Sequence, residues 1–149
     1  TPLQRQKTVW PNKALRYDCR HIMSEWLDRI KWNDDGLVPV VVQESGSHQV
    51  LMHAWMNRES LQKTANSGKA TYWSRSRQSL WIKGESSGHY QIVENIQLDC
   101  DNDTLLLTVK QEGGIACHTG RHHCFFSALV DGDWQITEKI IKAPEDIYK

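Results

Sequence analysis

Five consecutive residues, Asp99-Cys100-Asp101-Asn102-Asp103, place three carboxylates at alternate positions. In an extended chain, residues i, i+2 and i+4 point to one side, so the three carboxylates would converge. Crowded carboxylates raise one another's pKa unless a cation sits among them. Hard oxygen ligands of this kind suit Mg²⁺ or Ca²⁺. The competing reading is a solvated acidic turn with Asn102-Asp103 at its corner. On the extended reading Cys100 points the other way, toward an apolar face.

Cys100 has company in the segment Cys117-His118-Thr119-Gly120-Arg121-His122-His123-Cys124, whereas Cys19 stands apart. Zinc holds sulfur at ~2.3 Å, which puts ligand sulfurs roughly 4 Å apart. A straight helix would separate residues seven apart by ~10.5 Å. Cys117 and Cys124 can therefore share a metal only if the segment folds back, and Gly120 permits that. The spacing lacks the paired CxxC knuckles of a zinc finger. Three thiolates leave a fourth position open, the pattern of catalytic rather than structural zinc. His118 is a candidate fourth ligand or general base. His122 and His123 are expected to be exposed loop residues.

A second cluster runs through Trp73, Ser74, Arg75, Ser76 and Arg77 and on to Trp81, Lys83, Glu85, Ser87 and His89. Hydroxyl and guanidinium donors suit phosphate oxygens, and the two tryptophans offer stacking surfaces for a base. Core tryptophans beside a solvated basic loop are the competing reading. Next to a hydrolytic zinc, a phosphorylated substrate explains the cluster better.

The elements that must position these residues follow from periodicity. Ile22, Met23, Trp26, Leu27 and Ile30 form one helical stripe within 18–32, ended by Asn33-Asp34-Asp35-Gly36. Strands are expected at 37–42 and 50–55, then a helix over 58–67 capped by Asn57 and stopped by Gly68. Residues 69–74 read as a strand and 76–89 as mostly loop. From Gln91 to Asp101 the pattern has period two, with Ile92, Ile96, Leu98 and Cys100 on one face. Strands at 105–109, 124–130 and 134–136 follow, the last two flanking the hairpin signal Asp131-Gly132-Asp133. The expected fold is α+β, one domain over 1–149, with a largely antiparallel sheet and about two helices.

Composition narrows the function classes. Eighteen basic and eighteen acidic residues give zero formal charge, which counts against a dedicated nucleic-acid binder and against a polybasic membrane anchor. No apolar run approaches the roughly 18 residues of a membrane span, and no secretory signal pattern opens the sequence. A disulfide framework is not needed at this length. These readings place the protein in the cytoplasm, without membrane or nucleic-acid partners.

The motifs KWNDDGLVPVVVQ, QVLMHAWMNRESLQKT, ATYWSRSRQSLWIKGESSGH and LDCDNDTLLLTVKQEGGIACHTGRHHC occur in this order over about 31–124. In them the sequence resembles the phosphoribosyl-AMP cyclohydrolases of histidine biosynthesis. The N-terminal helix and the hairpin and tail after Cys124 carry less of the likeness. The resemblance implies hydrolysis of the bond between N1 and C6 in the adenine ring of phosphoribosyl-AMP. It implies one zinc per subunit on Cys100, Cys117 and Cys124, and one Mg²⁺ on Asp99, Asp101 and Asp103. It also implies a homodimer whose zinc sites are completed across the interface. Water must attack an aromatic carbon, as in zinc-dependent base deaminases. His118, His89 and Glu85 are the candidates to move protons, and the sequence does not choose among them. Trp73, Ser74, Arg75, Ser76, Arg77, Trp81, Lys83 and Ser87 are the candidate substrate contacts. The family's domain is fused in some organisms to a pyrophosphohydrolase. The 25 residues after Cys124 are too few for one, so the preceding step is expected on another chain.

Two rivals come from other classes. A zinc-stabilised nucleotide- or nucleic-acid-binding module would use the Ser-Arg repeat on phosphates, but the Asp triplet would repel them. A secreted disulfide protein would show no free thiols once denatured and stripped of metal.

Overall fold

A computed structural model describes residues 22–148. Cys19 and the first part of the expected 18–32 helix lie outside the described residues. Helix α1 spans Ile22–Asp28 and ends before Trp32. The Trp32 indole N–H donates to the Leu27 carbonyl (3.1 Å), satisfying a terminal acceptor that another helical turn would have used. The Asn33 side chain then accepts from the N–H groups of Asp35 and Leu37, closing a turn.

Strands β1 (Val38–Glu44) and β2 (Val50–Met56) form an antiparallel pair. β6 (Leu105–Gln111) lies parallel to β1, and β5 (Gln91–Leu98) pairs antiparallel with β6. The four-stranded order is β2-β1-β6-β5. One face carries Val38, Val40 and Val42, Met52, Ala54 and Met56, and Leu105, Leu107 and Val109, all buried. Leu27, Ile30, Leu61, Ala70, Tyr72 and Ala116 close over that face to form the core.

Helix α2 (Arg58–Ser67) has the expected limits because its caps are local. Asn57 Oδ1 accepts from the Ser60 N–H (2.8 Å), and Ser60 Oγ accepts from the Asn57 N–H (2.9 Å). Gly68 stops the helix in the left-handed region at φ 74°. The buried Thr64 hydroxyl accepts from the Thr71 N–H (3.0 Å), tying α2 to the next strand.

The segment expected to be mostly loop contains a strand. β3 (Thr71–Ser74) turns at 75–78 into β4 (Ser79–Ile82), paired from Thr71↔Ile82 to Ser74↔Ser79. Polar residues on both sides of the short run Leu80-Trp81-Ile82 masked its period. A second hairpin, β7 (Ser127–Val130) and β8 (Asp133–Ile136), forms a separate two-stranded sheet. A third, short helix, α3 (Pro144–Ile147), was not expected.

The alternation from 91 to 101 also needs correction. The register with β6 skips Glu94, a bulge between Val93↔Val109 and Asn95↔Thr108. One extra residue switches which parity faces inward. Gln91 and Val93 therefore face the core before the bulge, and Ile96 and Leu98 face it afterwards. Ile92 shares the opposite face with Asn95, not with Ile96.

Candidate active site

β5 ends at Leu98, so the aspartates lie on the β5–β6 turn rather than along a strand. Asp99 Oδ1 accepts from the N–H groups of Asp103 (2.9 Å) and Thr104 (3.2 Å). Asn102 takes φ 68° at the corner, where a short amide side chain is tolerated. The turn still brings the three carboxylates together: ligand oxygens of Asp99, Asp101 and Asp103 lie within 4.8 Å of one another. Hydrogen bonds to Asp103 and Asp99 raise the Asp101 carboxyl, and the charges of the same two groups add to it. At Asp99 desolvation, which raises the pKa, is outweighed by the combined bonds from Asp103, Asp101 and Thr104, so its carboxyl is lowered. Crowded carboxylates repel one another, a divalent ion would relieve that repulsion, and an all-oxygen set fits a hard cation.

Leaving the strand also changes Cys100. It is exposed on this turn and does not sit on a continuous apolar face. Cys117 and Cys124, in contrast, are brought together. The loop folds back through Ala116 N–H to His122 O (3.0 Å) and Cys117 N–H to Arg121 O (3.1 Å), with Gly120 at φ 86° in the bend. Cys124 is fastened to β2 through its N–H and the Leu51 carbonyl (2.7 Å). Burial pushes the Cys124 thiol up to about 12; the charge of Cys117 and a hydrogen bond with its sulfur add to this, and Lys83 opposes it. Two neighbouring sulfurs, Cys117 and Cys124, are the kind of ligand a soft cation takes. Thr119 Oγ donates to the Cys117 sulfur (3.0 Å). Among the described residues Cys100 does not join these two, and the aspartates are the only set of three such ligands close enough for one ion.

Lys83 is the cation of this region. Its ammonium donates to the Ala116 carbonyl and sits 5.6 Å from the Trp81 ring centroid. Burial lowers its pKa, while Cys124 and Cys117 pull it back up. Lys83 thus faces the thiols rather than open solvent. His89 lies nearby and is half-buried. Desolvation holds its imidazole below the ordinary value, and the charges of Lys142 and Lys83 act in the same direction. Its ring packs on Gly113, where a Cβ would meet His89 Cδ2 at 2.5 Å. Its N–H donates to Ser87 Oγ (3.1 Å), so Ser87 serves the loop.

The remaining candidates disperse. His118 is exposed on the turn after Cys117. Glu85 is exposed on the rim of a shallow groove between α2 and the β3–β4 hairpin, which includes neither thiol. Trp81 packs against Tyr72 in a tilted pair (5.1 Å) and borders the core, and Trp73 is half-buried on β3. Arg75 lies over the Trp55 ring at 4.6 Å. Ser74 Oγ accepts from the Arg77 N–H (3.3 Å) and lies 3.4 Å from Ser76 Oγ, so this serine holds the turn. Ser76 and Arg77 are exposed.

His122 and His123 differ from expectation. His123 is 6% exposed and is held between the Phe125 N–H, which donates to its Nδ1 (3.2 Å), and Glu138 (3.2 Å). His122 is half-buried against Glu44 (2.8 Å). Both imidazoles find partners far along the chain, a signal no local pattern carries. Also missed were Tyr72, Gln91, Gln111 and Lys142, the last brought in by a tail that crosses the loop at Gly120.

A family model described as phosphoribosyl-AMP cyclohydrolase matches residues 52–126. A protein named phosphoribosyl-AMP cyclohydrolase in Thioalkalivibrio sulfidiphilus is 62% identical over 124 residues, covering 83% of this chain and 95% of that one. One of the same name in Methylococcus capsulatus is 63% identical over 126 residues, covering 85% and 98%. Another, in Nitrosomonas eutropha, is 60% identical over 124 residues, covering 83% and 96%.

Proposed function

This chain belongs to the phosphoribosyl-AMP cyclohydrolase family, and from that premise we propose that it hydrolyses the N1–C6 bond of phosphoribosyl-AMP in histidine biosynthesis, using one zinc and one Mg²⁺ per subunit. The observation that carries the reading is the pairing of Cys117 and Cys124 beside Lys83 and the His89 loop. Cys100, Cys117 and Cys124 would hold zinc, and Asp99, Asp101 and Asp103 would hold Mg²⁺. Bound zinc would supply a water acidified toward pKa ~7 for attack on C6.

The chain's own groups do the rest. Three thiolates on one Zn²⁺ leave a net negative charge, and the Lys83 ammonium offsets it from the protein side. His89 stays neutral to lower pH than an ordinary histidine, so its ring is ready to accept a proton. His118, the exposed neighbour of Cys117, would return a proton to N1 as that nitrogen leaves. Ser76 and Arg77, exposed at the β3–β4 tip, are free to meet substrate phosphates. Glu85 takes no step in this scheme.

The zinc set needs a second copy of the chain, because Cys100 stands apart from the thiol pair. The chain after Cys124 exposes several large apolar side chains. Phe125, Leu129, Trp134, Ile136, Ile140 and Ile141 are each 52–73% exposed. Leu129 and Trp134 face each other across the β7–β8 ladder. An isolated two-stranded hairpin is marginal in water. Covering these six residues would bury on the order of 500–800 Å² per chain, close to the ~800 Å² of a standard interface. In the homodimer we propose, the partner subunit's Cys100 would complete the set with Cys117 and Cys124. No described helix is long and apolar enough to cross a membrane; the cytoplasmic location we propose rests on the biosynthetic family alone.

The direct test is to incubate the zinc- and Mg²⁺-loaded protein with phosphoribosyl-AMP and follow the absorbance of the opened ring. Turnover that stops on chelation is expected. A folded, metal-loaded protein without turnover would overturn the reading.

A further inference from the structure

Gln91 and Gln111 form a cross-strand pair at the end of the β5–β6 ladder, and both side chains face the core. The other inward pairs of this ladder, Val93↔Val109, Ile96↔Leu107 and Leu98↔Leu105, are apolar. Two buried amides in the same layer carry a desolvation cost unless each polar atom is paired. Here they are paired in one direction. The Tyr72 hydroxyl donates to Gln91 Oε1, and Gln91 Nε2 donates to Gln111 Oε1 (2.9 Å). Gln111 Nε2 donates to the carbonyl oxygens of His89 (3.1 Å) and Glu112 (3.2 Å). The other contact of Gln91 Nε2 is the Met52 sulfur (3.3 Å).

The two ends of this chain of bonds give it meaning. Tyr72 is fully buried and packs against Trp81 (5.1 Å), and Lys83 lies over that same indole while donating to the carbonyl of Ala116, the residue before Cys117. The other end holds the backbone of His89, whose ring is wedged on Gly113. An apolar pair would fill positions 91 and 111 without desolvating any amide. The amides occur where the ladder runs out beside the thiols and the His89 loop.

We propose that Gln91 and Gln111 are positioning residues, which fix the His89 loop relative to the Cys117–Cys124 pair through Tyr72. This rests on the reading that His89 moves a proton in ring opening. A displacement of about 1 Å at a reacting group costs on the order of a hundredfold in rate. A purely structural pair would instead register in stability.

The test uses the triple variant Tyr72→Phe, Gln91→Met, Gln111→Met, which removes all three relay side chains together; the His89 and Glu112 carbonyls lose the Gln111 amide, so some loss of stability accompanies the change. The expected result is a cooperatively folded protein at the assay temperature with normal zinc content, KM within about threefold, and kcat lower by roughly ten- to a hundredfold. Should the triple variant fold poorly, Gln111→Met alone serves in a cycle with His89→Ala. Its effect on kcat is then expected to vanish in the His89→Ala background. Wild-type kcat in a folded, zinc-loaded triple variant would overturn the proposal, as would an equal loss from Gln111→Met in both backgrounds. Wild-type kcat in His89→Ala itself would overturn the role of His89 and this inference with it. A slow His89→Ala beside an unimpaired Gln111→Met would overturn the positioning alone.

Discussion

Replacing Gly120 with Ala would put a Cβ 1.8 Å from the Lys142 carbonyl oxygen and 3.0 Å from its carbon. Both are backbone atoms, so no side chain can rotate away. The tail must lift, breaking the bonds from the Ile141 (2.8 Å) and Lys142 (3.3 Å) N–H groups to the Gly120 carbonyl. Two such bonds are worth ~1–3 kcal/mol together. Holding Ala at φ 86° costs a further ~1–2 kcal/mol. Gly46 is the control, because it has the same φ of 86° and a Cβ added there would meet nothing within 4 Å. The conformational penalty and the change in unfolded-chain entropy then cancel between the two variants. Gly120→Ala should therefore be less stable than Gly46→Ala by ~1–3 kcal/mol, or roughly 2–12 °C in Tm for a chain of this size. Thermal unfolding of both variants checks this, with amide exchange at Ile141 reporting whether the tail has lifted. Equal Tm values, with the Ile141 amide still protected, would refute the argument.

Three further outcomes follow from the same geometry. The His89 ring should titrate below pH 6.5 by proton NMR, and Lys142→Gln should move it upward by removing a cation that disfavours the imidazolium; an unmoved titration would contradict the placement of Lys142. Asp101→Asn should raise the Mg²⁺ concentration needed for half-maximal activity by about tenfold or more while zinc content stays normal, because oxygen and thiolate sets select different metals. Unchanged Mg²⁺ dependence in this variant would count against the aspartate site. Leu129→Asp with Trp134→Asp should convert a dimer to a monomer in sedimentation, and a dimer that persists would move the interface elsewhere.

Local signals were legible in the sequence and distant ones were not. Asn57 and Gly68 bound α2 through contacts within four residues, so the helix could be read to its ends. The fold-back of 117–124 was legible from ligand geometry and Gly120. The convergence of Asp99, Asp101 and Asp103 was expected, but for the wrong backbone: side-chain capture of the Asp103 and Thr104 N–H groups makes a turn where the alternation suggested a strand. The bulge at Glu94 depends on pairing with Thr108 and Val109, and nothing near Glu94 announces it. That bulge hid the inward direction of Gln91 and with it the amide pair. The burial of His123 depends on Glu138, fifteen positions away on a tail whose course no local pattern fixes.

In the proposed enzyme two copies of the chain complete each zinc set, with Cys100 from one and Cys117 and Cys124 from the other. Mixing the inactive variants Cys100→Ala and Cys117→Ala, followed by verified subunit exchange, tests it directly. In a mixed dimer one site carries both lesions and the other carries neither. Random exchange makes about half the dimers mixed, each with one intact site of two, so roughly a quarter of wild-type activity should return. If the three cysteines met within one chain, every site would keep one lesion, and no activity would return.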